Sequence, residues 1–445
     1  MNDHAGKIAA LQAELSREPA GAVGLDKATS NLFRDRHKQR RPGVNLRHFN
    51  EVISVNPEQG WVDAEGMTTY AELVTACLQQ GVMPAVVPEL QSITIGGAAT
   101  GVGIESTSFR HGLVHHNLQE IDILTAGQEF VHCTPDNEHS DLFFGFPNSY
   151  GTLGYALRLR TSTLPVKPYV HLRHIRFDNA GDYFRSLEEH CRGDADFVDG
   201  TVFSRNELYI TLGHFTDQAP FVSDYTYKNI YYRSLQERDE DYLTIHDYIW
   251  RWDTDWFWCS KNVFAQRPLI RRLYGRKRLN SVTYTRIMHW NSRWGLTRFI
   301  NRLRGIHPES VIQDVDIPID RASEFLDFLL REIGILPIWI CPIGTRGLPG
   351  PFPLYPLRDN TLYINFGFWD VIHDRQPRPE GYYNHMIEKK VSELGGIKSL
   401  YSSSYYEESE FWSIYNGAEY RRLKQHYDPD NRFPDLYRKC VLRRH

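Results

Sequence analysis

The sequence predicts an α+β protein of more than one domain, because two regions with different patterns of helices and strands follow one another along its 445 residues. Up to about residue 165, short alternating strand segments are mixed with a few helices. From about residue 170 to 390, longer helical stretches rich in aromatic residues alternate with strands, and the chain ends in a helical tail. A chain of this length has room for two or three domains and for burying a large cofactor.

The change in the pattern of helices and strands sets the expected domain boundaries. Residues 1–165 form a first domain, residues 166–390 a second α+β domain, and residues 391–445 a C-terminal segment that packs back on the first domain. The first boundary falls at residues 164–168, where two prolines interrupt the pattern.

Local patterns predict individual elements in the first domain. Residues 1–19 read as a short amphipathic helix, and residues 51–66 alternate as a hairpin that turns at Pro57 and Gly60. Residues 67–81 predict a helix that Thr68 or Thr69 caps and Gly81 ends. A strand–turn–strand follows at residues 118–136, and another strand at residues 152–166.

Composition excludes several classes of protein. The net charge of -4 gives no sign of nucleic-acid binding, and no segment approaches the roughly 20 apolar residues that a membrane span needs. The N-terminus lacks the pattern of a signal peptide, so a cytoplasmic protein is expected. The six cysteines are scattered without zinc-ligand spacing, which favours free thiols and no metal site.

One glycine-rich stretch, residues 94–108, is the strongest candidate for binding a ligand. It is not a P-loop, because Val102 stands where that motif has lysine, and Ser106 replaces the third glycine of a Rossmann loop. Glycines let successive backbone N–H groups approach an anion and form a concave nest, so a phosphate is the expected ligand. The alternative is a glycine-rich turn between strands.

The residues around this stretch carry a family resemblance. Residues 86–108 are similar to the flavin loop of the FAD-linked oxidoreductases of the vanillyl-alcohol-oxidase type, and most of all to their Δ24-sterol reductase branch. The likeness continues, in chain order, through most of the sequence. It covers residues 139–159, 197–204, 313–318, 336–342, 362–367, 399–412 and 433–439.

The resemblance implies a fold and a cofactor. The fold is a PCMH-type FAD-binding domain of two small α+β subdomains, an α+β cap domain over the flavin ring, and a C-terminal piece that returns to the first domain. The resemblance assigns FAD binding to two segments and to an earlier loop. These residues are Thr94, Ile95, Gly96, Gly97, Gly101, Gly103, Ile104, Glu105 and Ser106, then Gly151, Thr152, Leu153 and Gly154, and Ser30 and Asn31 in the loop at residues 27–36.

The resemblance also bears on how FAD is held. Many oxidases of this fold attach the flavin to a histidine in an R-G-x-x-H motif of the early loop, and this chain has no such motif. His37 lies in a basic cluster typical of solvated surface, and His111 stands where the sterol branch commonly has tyrosine. Non-covalent FAD is therefore expected.

The implied reaction is reduction of a C=C bond in a sterol or isoprenoid-like apolar substrate, with NADPH as electron donor. Such a reduction needs a hydride and a proton donor. The candidates are Tyr401, Tyr405 and Glu410, in the C-terminal segment that resembles the active-site side of the family; the alternative is that the tyrosines only pack. His246 and Asp247 form a second candidate pair, for which a surface role is the alternative.

Three questions stay open at this point: the reaction, the role of the tryptophans and the role of the basic clusters. An FAD-linked oxidase or dehydrogenase of a hydroxylated substrate would use oxygen or another acceptor, and a flavin-binding scaffold would have no turnover. Four tryptophans within residues 247–258 predict either the lining of an apolar tunnel or an aromatic core or interface. Basic clusters at residues 271–278 and 438–445 suggest peripheral contact with anionic lipid or solvated surface.

Overall fold

The structure, a computed structural model, describes residues 3–16, 24–26, 33, 43–294 and 305–443. Within these ranges the strands form one two-stranded sheet and two larger sheets. The strands are β1 (Gly24–Asp26), β2 (Gly43–Asn45), β3 (Val52–Asn56), β4 (Trp61–Glu65), β5 (Val82–Pro84), β6 (Leu118–Leu124), β7 (Phe130–Cys133), β8 (Tyr155–Pro165), β9 (Tyr169–Phe177), β10 (Phe197–Ser204), β11 (Glu207–Thr216), β12 (Glu240–Thr244), β13 (His307–Pro318), β14 (Ile338–Gly344), β15 (Leu362–Asp374) and β16 (Ile397–Lys398).

The helices of the same ranges are mostly short, and together with the antiparallel sheets they confirm the predicted α+β class. The α-helices are His4–Leu15, Tyr70–Leu78, Ile95–Gly101, Ser108–His111, Ser140–Gly145, Ala180–Cys191, Tyr231–Ser234, Ile245–Ile249, Pro268–Tyr274, Ser281–Trp294, Ile319–Phe328, Tyr382–Glu393, Glu408–Ile414, Gly417–Tyr427 and Leu436–Cys440. Turns of other helix types cover Val114–Asn117, Cys259–Val263, Arg276–Arg278 and Leu329–Ile333. In the part of the chain that the structure describes, none of the helices has the length and apolar character needed to cross a membrane.

The first large sheet is built around β8, the strand predicted at residues 152–166. Strand β8 pairs antiparallel with β4, β5 and β6, and β3 and β7 lie at the edges. Both predicted hairpins are confirmed, as β3–β4 and β6–β7. Gly60 turns the first hairpin with a φ of 68°, a conformation that glycine adopts without steric cost.

Two predicted helices of the first domain are also confirmed. Helix Tyr70–Leu78 begins at Thr69, whose side chain and that of Glu72 form a reciprocal capping box. The N-terminal helix His4–Leu15 buries Leu11 and Leu15 beside strand β2. Apolar spacing and cap chemistry are local signals, which explains why the sequence alone located both helices.

The second large sheet has eight antiparallel strands in the order β12–β9–β11–β10–β14–β15–β13–β16. Because side chains alternate across a strand, each strand presents two different faces. On β14, Ile338 and Ile340 pack under the helices Ala180–Cys191 and Ile319–Phe328, whereas Trp339 and Cys341 join the core shared with the first domain. The sheet therefore has one face covered by its own helices and one face turned toward the first sheet.

The C-terminal segment contacts both sheets. Strand β16 extends the second sheet by pairing with β13. Helix Gly417–Tyr427 packs against helix Ser140–Gly145, and Lys424 Nζ donates to the Thr152 carbonyl at 2.9 Å. The predicted helical tail is split into two helices because Asn416 adopts a left-handed conformation, with a φ of 49°, and caps the second helix.

A buried ion pair supports the turn that follows β16. Lys398 Nζ lies 2.6 Å from Glu388 Oε1, and both side chains are excluded from water. The Lys398 ammonium also donates to the Ser403 carbonyl, and the Glu388 carboxylate accepts the Tyr405 N–H. Burial lowers the pKa of Lys398 and raises that of Glu388, each opposed by its partner. The pair thus holds the backbone of residues 399–405 from both ends.

Replacing Lys398 with methionine is expected to destabilise the protein by about 3–5 kcal/mol, because Glu388 would be left as an unpaired buried carboxylate. Chemical denaturation followed by circular dichroism measures the change. Lys389 follows Glu388 on helix Tyr382–Glu393 and is exposed. Lys389→Met is therefore the matched control and should change stability by less than about 0.5 kcal/mol. Equal effects of the two substitutions would contradict a supporting role of the pair.

Candidate active site

The glycine-rich stretch does not fold as an open loop. Residues Ile95–Gly101 form a helix capped by Thr94. The first four N–H groups of this helix donate to protein acceptors, namely Thr68 O (2.9 Å), Gly66 O (3.0 Å), Thr94 Oγ1 (3.1 Å) and Thr94 O (2.9 Å). The N–H groups of Gly96 and Gly97 are therefore engaged within the protein, and the assignment of FAD binding to these two residues stays a prediction.

Close packing explains two of the four glycines. A Cβ on Gly96 would stand 2.7 Å from the Gly66 carbonyl oxygen, and one on Gly103 would stand 2.8 Å from Pro88 Cγ. Gly101 differs, because a Cβ there would meet only the Tyr150 ring, at an ordinary 3.6 Å. Gly96 and Gly103 let backbone and side chains approach, whereas Gly101 borders Tyr150.

Val102, directly after the helix, has a φ of 53°. A β-branched residue in the left-handed region is a conformational outlier that costs roughly 1–3 kcal/mol. The valine is nevertheless buried, and its N–H caps the helix by donating to Ala98 O. Such strain is concentrated at functional sites, where surrounding structure holds it in place.

The second predicted segment, residues 151–154, follows a run of unusual backbone. Asn148, Tyr150 and Gly151 all have positive φ, at 60°, 50° and 73°. Gly154 packs against β6, where an added Cβ would stand 2.9 Å from the Leu124 carbonyl oxygen. Thr152 and Leu153 are buried, and Tyr150 Oη donates to the Gly101 carbonyl at 3.3 Å. The two predicted FAD segments are thus in direct contact.

The strands of the second sheet place polar side chains on the face turned toward these segments. In β13, Val315 and Ile317 lie on the helix-covered face, so Asp314 and Asp316 point the other way. The same alternation puts Asp199 of β10 on this inner face. Buried acids at alternate positions of a core strand need partners, and the C-terminal segment supplies one of them, Tyr401, to Asp314.

Glu105 and Ser106 lie where the first domain meets this face. Arg251 Nη2 donates to Glu105 Oε1 and to Asp199 Oδ2, both at 2.8 Å. The Ser106 hydroxyl lies 3.0 Å from Tyr248 Oη, and the Ser106 carbonyl accepts the Val198 N–H. Burial opposes the charge on Arg251, but the adjoining carboxylates raise the pKa of its guanidinium. One buried cation therefore joins the two domains.

Two further acids of this region lack full partners. Burial, together with nearby Glu105, raises the pKa of Glu89 well above its usual range, and its Oε1 has no hydrogen-bond partner among the described residues. Burial raises the pKa of Asp314 to about 8. Its Oδ1 also lacks a partner among those residues. Burial therefore favours the neutral, protonated form of both carboxyl groups.

Asp314 belongs to a short chain of hydrogen bonds. The Tyr401 hydroxyl bonds the Asp314 carboxyl and accepts a hydrogen bond from Trp369 Nε1 at 2.8 Å. Burial, and then the adjacent Asp314, raise the pKa of Tyr401, so the phenol stays neutral. Tyr401 is thus a half-buried neutral phenol that is hydrogen-bonded to a buried carboxyl group.

Aromatic side chains adjoin this chain of hydrogen bonds. The four tryptophans of residues 247–258 are all buried. Phe257 stacks on Trp252 with ring centroids 4.7 Å apart and lies 4.3 Å from Trp369. Trp256 and Phe257 have positive φ values of 46° and 57°, so this segment also carries backbone strain.

The structure brings only part of the predicted catalytic set together. Tyr401 lies in the hydrogen-bond chain just described. Tyr405 instead packs on Gly381 and under the Arg443 guanidinium, and Glu410 faces Ser392 at 3.4 Å. Neither contacts Tyr401 or Asp314 among the described interactions.

The remaining predicted residues lie elsewhere. His246 and Asp247 form an outlying pair in which the histidine side chain is exposed. Ser30 and Asn31, like His37, lie outside the described residues. Their neighbour Phe33 is described, and its N–H donates to the Tyr401 carbonyl at 3.1 Å.

Comparison with known proteins agrees with this arrangement. A family described as an FAD binding domain matches residues 28–134. The Delta(24)-sterol reductase of Homo sapiens is 27% identical and that of Arabidopsis thaliana 25% identical; the alignments cover 94% and 95% of this chain and 81% and 80% of those proteins. Cytokinin dehydrogenase 7 of Oryza sativa subsp. japonica is 29% identical over 37% of this chain and 31% of its own length.

The matched FAD binding domain and the sterol reductase homologues together support an FAD-dependent oxidoreductase. Delta(24)-sterol reductases are homologous to it along nearly its whole length. The predicted resemblance to FAD-linked oxidoreductases, and to their Δ24-sterol reductase branch, is confirmed.

The described residues fit an FAD of this family. A flavin ring and its ribityl chain present alternating donors and acceptors along a flat, elongated body. Asn148 Oδ1, Ser149 Oγ, Glu89 Oε1 and Asp314 Oδ1 are buried polar atoms without partners among the described residues. Buried polar groups are normally satisfied, so unpaired ones on facing parts of the two domains suit a polar ligand between them. Gly101, Tyr150 and Gly151 would border it.

Sequence reasoning missed Asp314, Glu89 and Arg251. The segments that contain Asp314 and Glu89 entered only as parts of a family resemblance. A usable signal was present in residues 313–318, where two acids alternate with apolar residues in a strand pattern. Arg251 gave no such signal, because its partners lie 146 and 52 residues away along the chain.

Two glycine substitutions separate cofactor binding from packing. Gly101→Val is expected to leave the protein folded but to lower its FAD content severalfold, because the added side chain extends toward Tyr150. Gly103→Val is expected to destabilise the fold by about 1–3 kcal/mol through overpacking against Pro88 and Val114. Flavin absorbance per mole of protein and the midpoint of thermal unfolding measure the two effects. Full FAD content in a folded Gly101→Val protein would remove residue 101 from the FAD site.

Proposed function

We propose that this flavoenzyme reduces a C=C bond of a sterol or isoprenoid-like apolar substrate, with NADPH as electron donor and FAD bound non-covalently. The homology to Delta(24)-sterol reductases along 94% of the chain supports the substrate class. The absence of an R-G-x-x-H motif supports non-covalent attachment, and acid denaturation should therefore release free FAD.

The observation that carries the proposal is the hydrogen-bond chain of Trp369, Tyr401 and Asp314. Reduction of an unactivated C=C bond needs a hydride on one carbon and a proton on the other. Tyr401 is neutral and half-buried, and burial raises the pKa of the Asp314 carboxyl to about 8. A neutral donor is less costly to bury beside an apolar substrate than a charged one.

FAD, when bound, supplies the hydride chemistry. Tyr401 would hold the proton at Oη and give it to the substrate carbon that does not receive the hydride. Asp314 would then return a proton to the Tyr401 oxygen through their hydrogen bond. The Trp369 N–H, 2.8 Å from the same oxygen, fixes the phenol in place and stabilises the negative charge that develops there.

The aromatic side chains next to Tyr401 favour an apolar substrate over a polar one. Phe257 and Trp369, whose rings are 4.3 Å apart, offer flat apolar surface beside the proposed proton donor. Flat and mostly apolar ligands are bound by such surfaces with a few polar groups that set orientation.

A second candidate is an FAD-linked dehydrogenase or oxidase of a hydroxylated substrate that uses oxygen or another acceptor. The similarity to a cytokinin dehydrogenase over 37% of the chain favours it. If the substrate is oxidised, an ionised Asp314 would accept the substrate proton through Tyr401. The same two residues would then act as the general base.

An anaerobic stopped-flow experiment tests the proposal. NADPH is expected to bleach the flavin absorbance, and a side-chain-unsaturated sterol is expected to restore it without oxygen. A yellow protein that NADPH leaves unchanged, but that a hydroxylated substrate bleaches, would overturn the proposal in favour of the second candidate. A bound flavin that no donor reduces would contradict turnover of either kind.

Tyr401→Phe is expected to slow reoxidation of the flavin by the sterol by about a hundredfold or more, since a positioned general acid contributes on that scale. Reduction by NADPH should be unaffected, because it needs no proton from Tyr401. Tyr405→Phe is the matched control and should leave both half-reactions near wild type. Wild-type reoxidation in the Tyr401→Phe protein would exclude Tyr401 as the proton donor.

The pH dependence distinguishes the two directions. If Asp314 resupplies the proton, the rate of C=C reduction should fall as pH rises through about 8, where the folded protein loses that proton. A dehydrogenase would show the opposite sign, because its base must be ionised. Asp314→Asn should remove this pH dependence in either case. A rate that is constant from pH 6.5 to 9.5 in the wild type would exclude a role for Asp314.

A further inference from the structure

One segment of the second domain has an unusual charge. Residues 256–308 contain no aspartate or glutamate, although the whole chain has 55 acidic and 51 basic residues. The same segment contains twelve lysines and arginines. They are Lys261, Arg267, Arg271, Arg272, Arg276, Lys277, Arg278, Arg286, Arg293, Arg298, Arg302 and Arg304. A strongly positive region in a chain of net charge -4 calls for a partner of negative charge.

The same segment exposes large apolar side chains. Leu269 is 75% exposed and Leu273 is 81% exposed, and Phe264 nearby is 54% exposed. Leu269 and Leu273 are four residues apart on helix Pro268–Tyr274, so they lie on one face of that helix. They are the two most exposed of the large apolar side chains that the structure describes. Single exposed leucines are ordinary, but a group of them marks an interaction site.

Exposed cations surround these apolar side chains. Arg272 lies between the two leucines in sequence, and Arg267 lies over the Phe264 ring, 5.1 Å from its centroid. Lys277 and Arg278 are exposed directly after the helix. Arg276 differs, because it pairs with Asp224. We call the surface formed by Phe264, Arg267, Leu269, Arg272, Leu273, Lys277 and Arg278 the basic apolar surface.

The helix that carries this surface is firmly attached to the domain. Arg271 is buried, and its guanidinium forms two hydrogen bonds with the Asp255 carboxylate, at 2.7 and 2.9 Å. Arg271 therefore anchors the helix rather than contributing to the surface, which corrects the expectation that residues 271–278 act as one exposed cluster. With this anchor in place, the leucines are held outward by a fixed element.

We propose that the basic apolar surface docks the protein on a lipid bilayer that contains anionic phospholipids. Leucine and phenylalanine side chains would enter the acyl boundary, while the surrounding lysine and arginine side chains would contact the headgroup phosphates. Nucleic acid would satisfy the charge equally well. It would leave the aliphatic leucines without a function, because nucleic acids are bound through basic groups and stacking aromatic rings.

The docking surface lies close in sequence to the aromatic segment of the candidate active site. Asp255, the partner of Arg271, is part of that segment, and Phe257 contacts Trp369. A bilayer bound at this surface would therefore adjoin the part of the second domain that faces Tyr401. The inference rests on charge and exposure and holds whichever reaction the enzyme catalyses.

Co-sedimentation of the FAD-loaded protein with vesicles tests the proposal. The wild type should bind vesicles of phosphatidylcholine mixed with phosphatidylglycerol and bind vesicles of pure phosphatidylcholine at least about tenfold more weakly. Leu269→Ser combined with Leu273→Ser should reduce binding to the anionic vesicles by at least about tenfold. Arg272→Glu combined with Lys277→Glu should do the same.

Matched controls come from exposed residues elsewhere. Phe221 and Val222 are the exposed apolar pair of another region, and Lys389 and Arg346 are exposed cations outside the segment. Phe221→Ser with Val222→Ser, and Lys389→Glu with Arg346→Glu, should bind vesicles like the wild type. Flavin content shows that each variant is folded.

Three results would overturn the proposal. The first is a wild type that binds neither kind of vesicle. The second is a double leucine variant that binds as tightly as the wild type, since attraction would then be purely electrostatic. The third is tight binding of a single-stranded RNA oligomer without vesicle binding, which would assign the charge to nucleic acid.

Discussion

The buried guanidinium of Arg251 connects the two domains between which the candidate active site lies. It donates to Glu105 of the first domain and to Asp199 of the second sheet, both at 2.8 Å. Removing one partner from such a buried group costs about 3–5 kcal/mol, because a charge is left without compensation. Arg251 thereby helps to fix the relative position of the two domains, together with the contacts of Ser106 to Tyr248 and Val198.

The second sheet organises the chemistry through the alternation of its strands. The face with Val315, Ile338 and Phe366 is covered by helices and is mostly apolar. The opposite face carries Asp199, Asp314 and Asp316. Asp199 shares the Arg251 guanidinium with Glu105 of the first domain. Asp314 bonds Tyr401 of the C-terminal segment. The C-terminal segment adds Tyr401, whose turn is held by the Lys398–Glu388 pair. The proton-carrying groups thus come from separate parts of the chain and are brought together at one surface.

Strained backbone borders the same region. Val102, Tyr150, Trp256 and Phe257 all have positive φ although none is glycine. Each such residue costs roughly 1–3 kcal/mol, which the surrounding packing has to offset. Their position beside Gly101, Tyr401 and Trp369 agrees with a site whose shape is held by its surroundings. The exposed leucines of the basic apolar surface lie on a helix that the Arg271–Asp255 pair anchors in the same domain.

The sequence by itself determined the local elements and the family. Hairpins, capped helices and the strand at residues 152–166 are encoded in neighbouring residues, and the order of motifs along the chain identified an FAD-binding oxidoreductase. Of the three proposed catalytic residues, Tyr401 lies beside Asp314 and Trp369, whereas Tyr405 and Glu410 are close to Tyr401 only in sequence. Tertiary structure decided that the glycine-rich helix uses its first N–H groups internally, and that Asp314, Glu89 and Arg251 belong to the site. Those assignments depend on burial and on partners more than fifty residues apart, such as Asp199 and Arg251. Long-range contacts of that kind arise only when sheets and helices pack, so no local pattern encodes them.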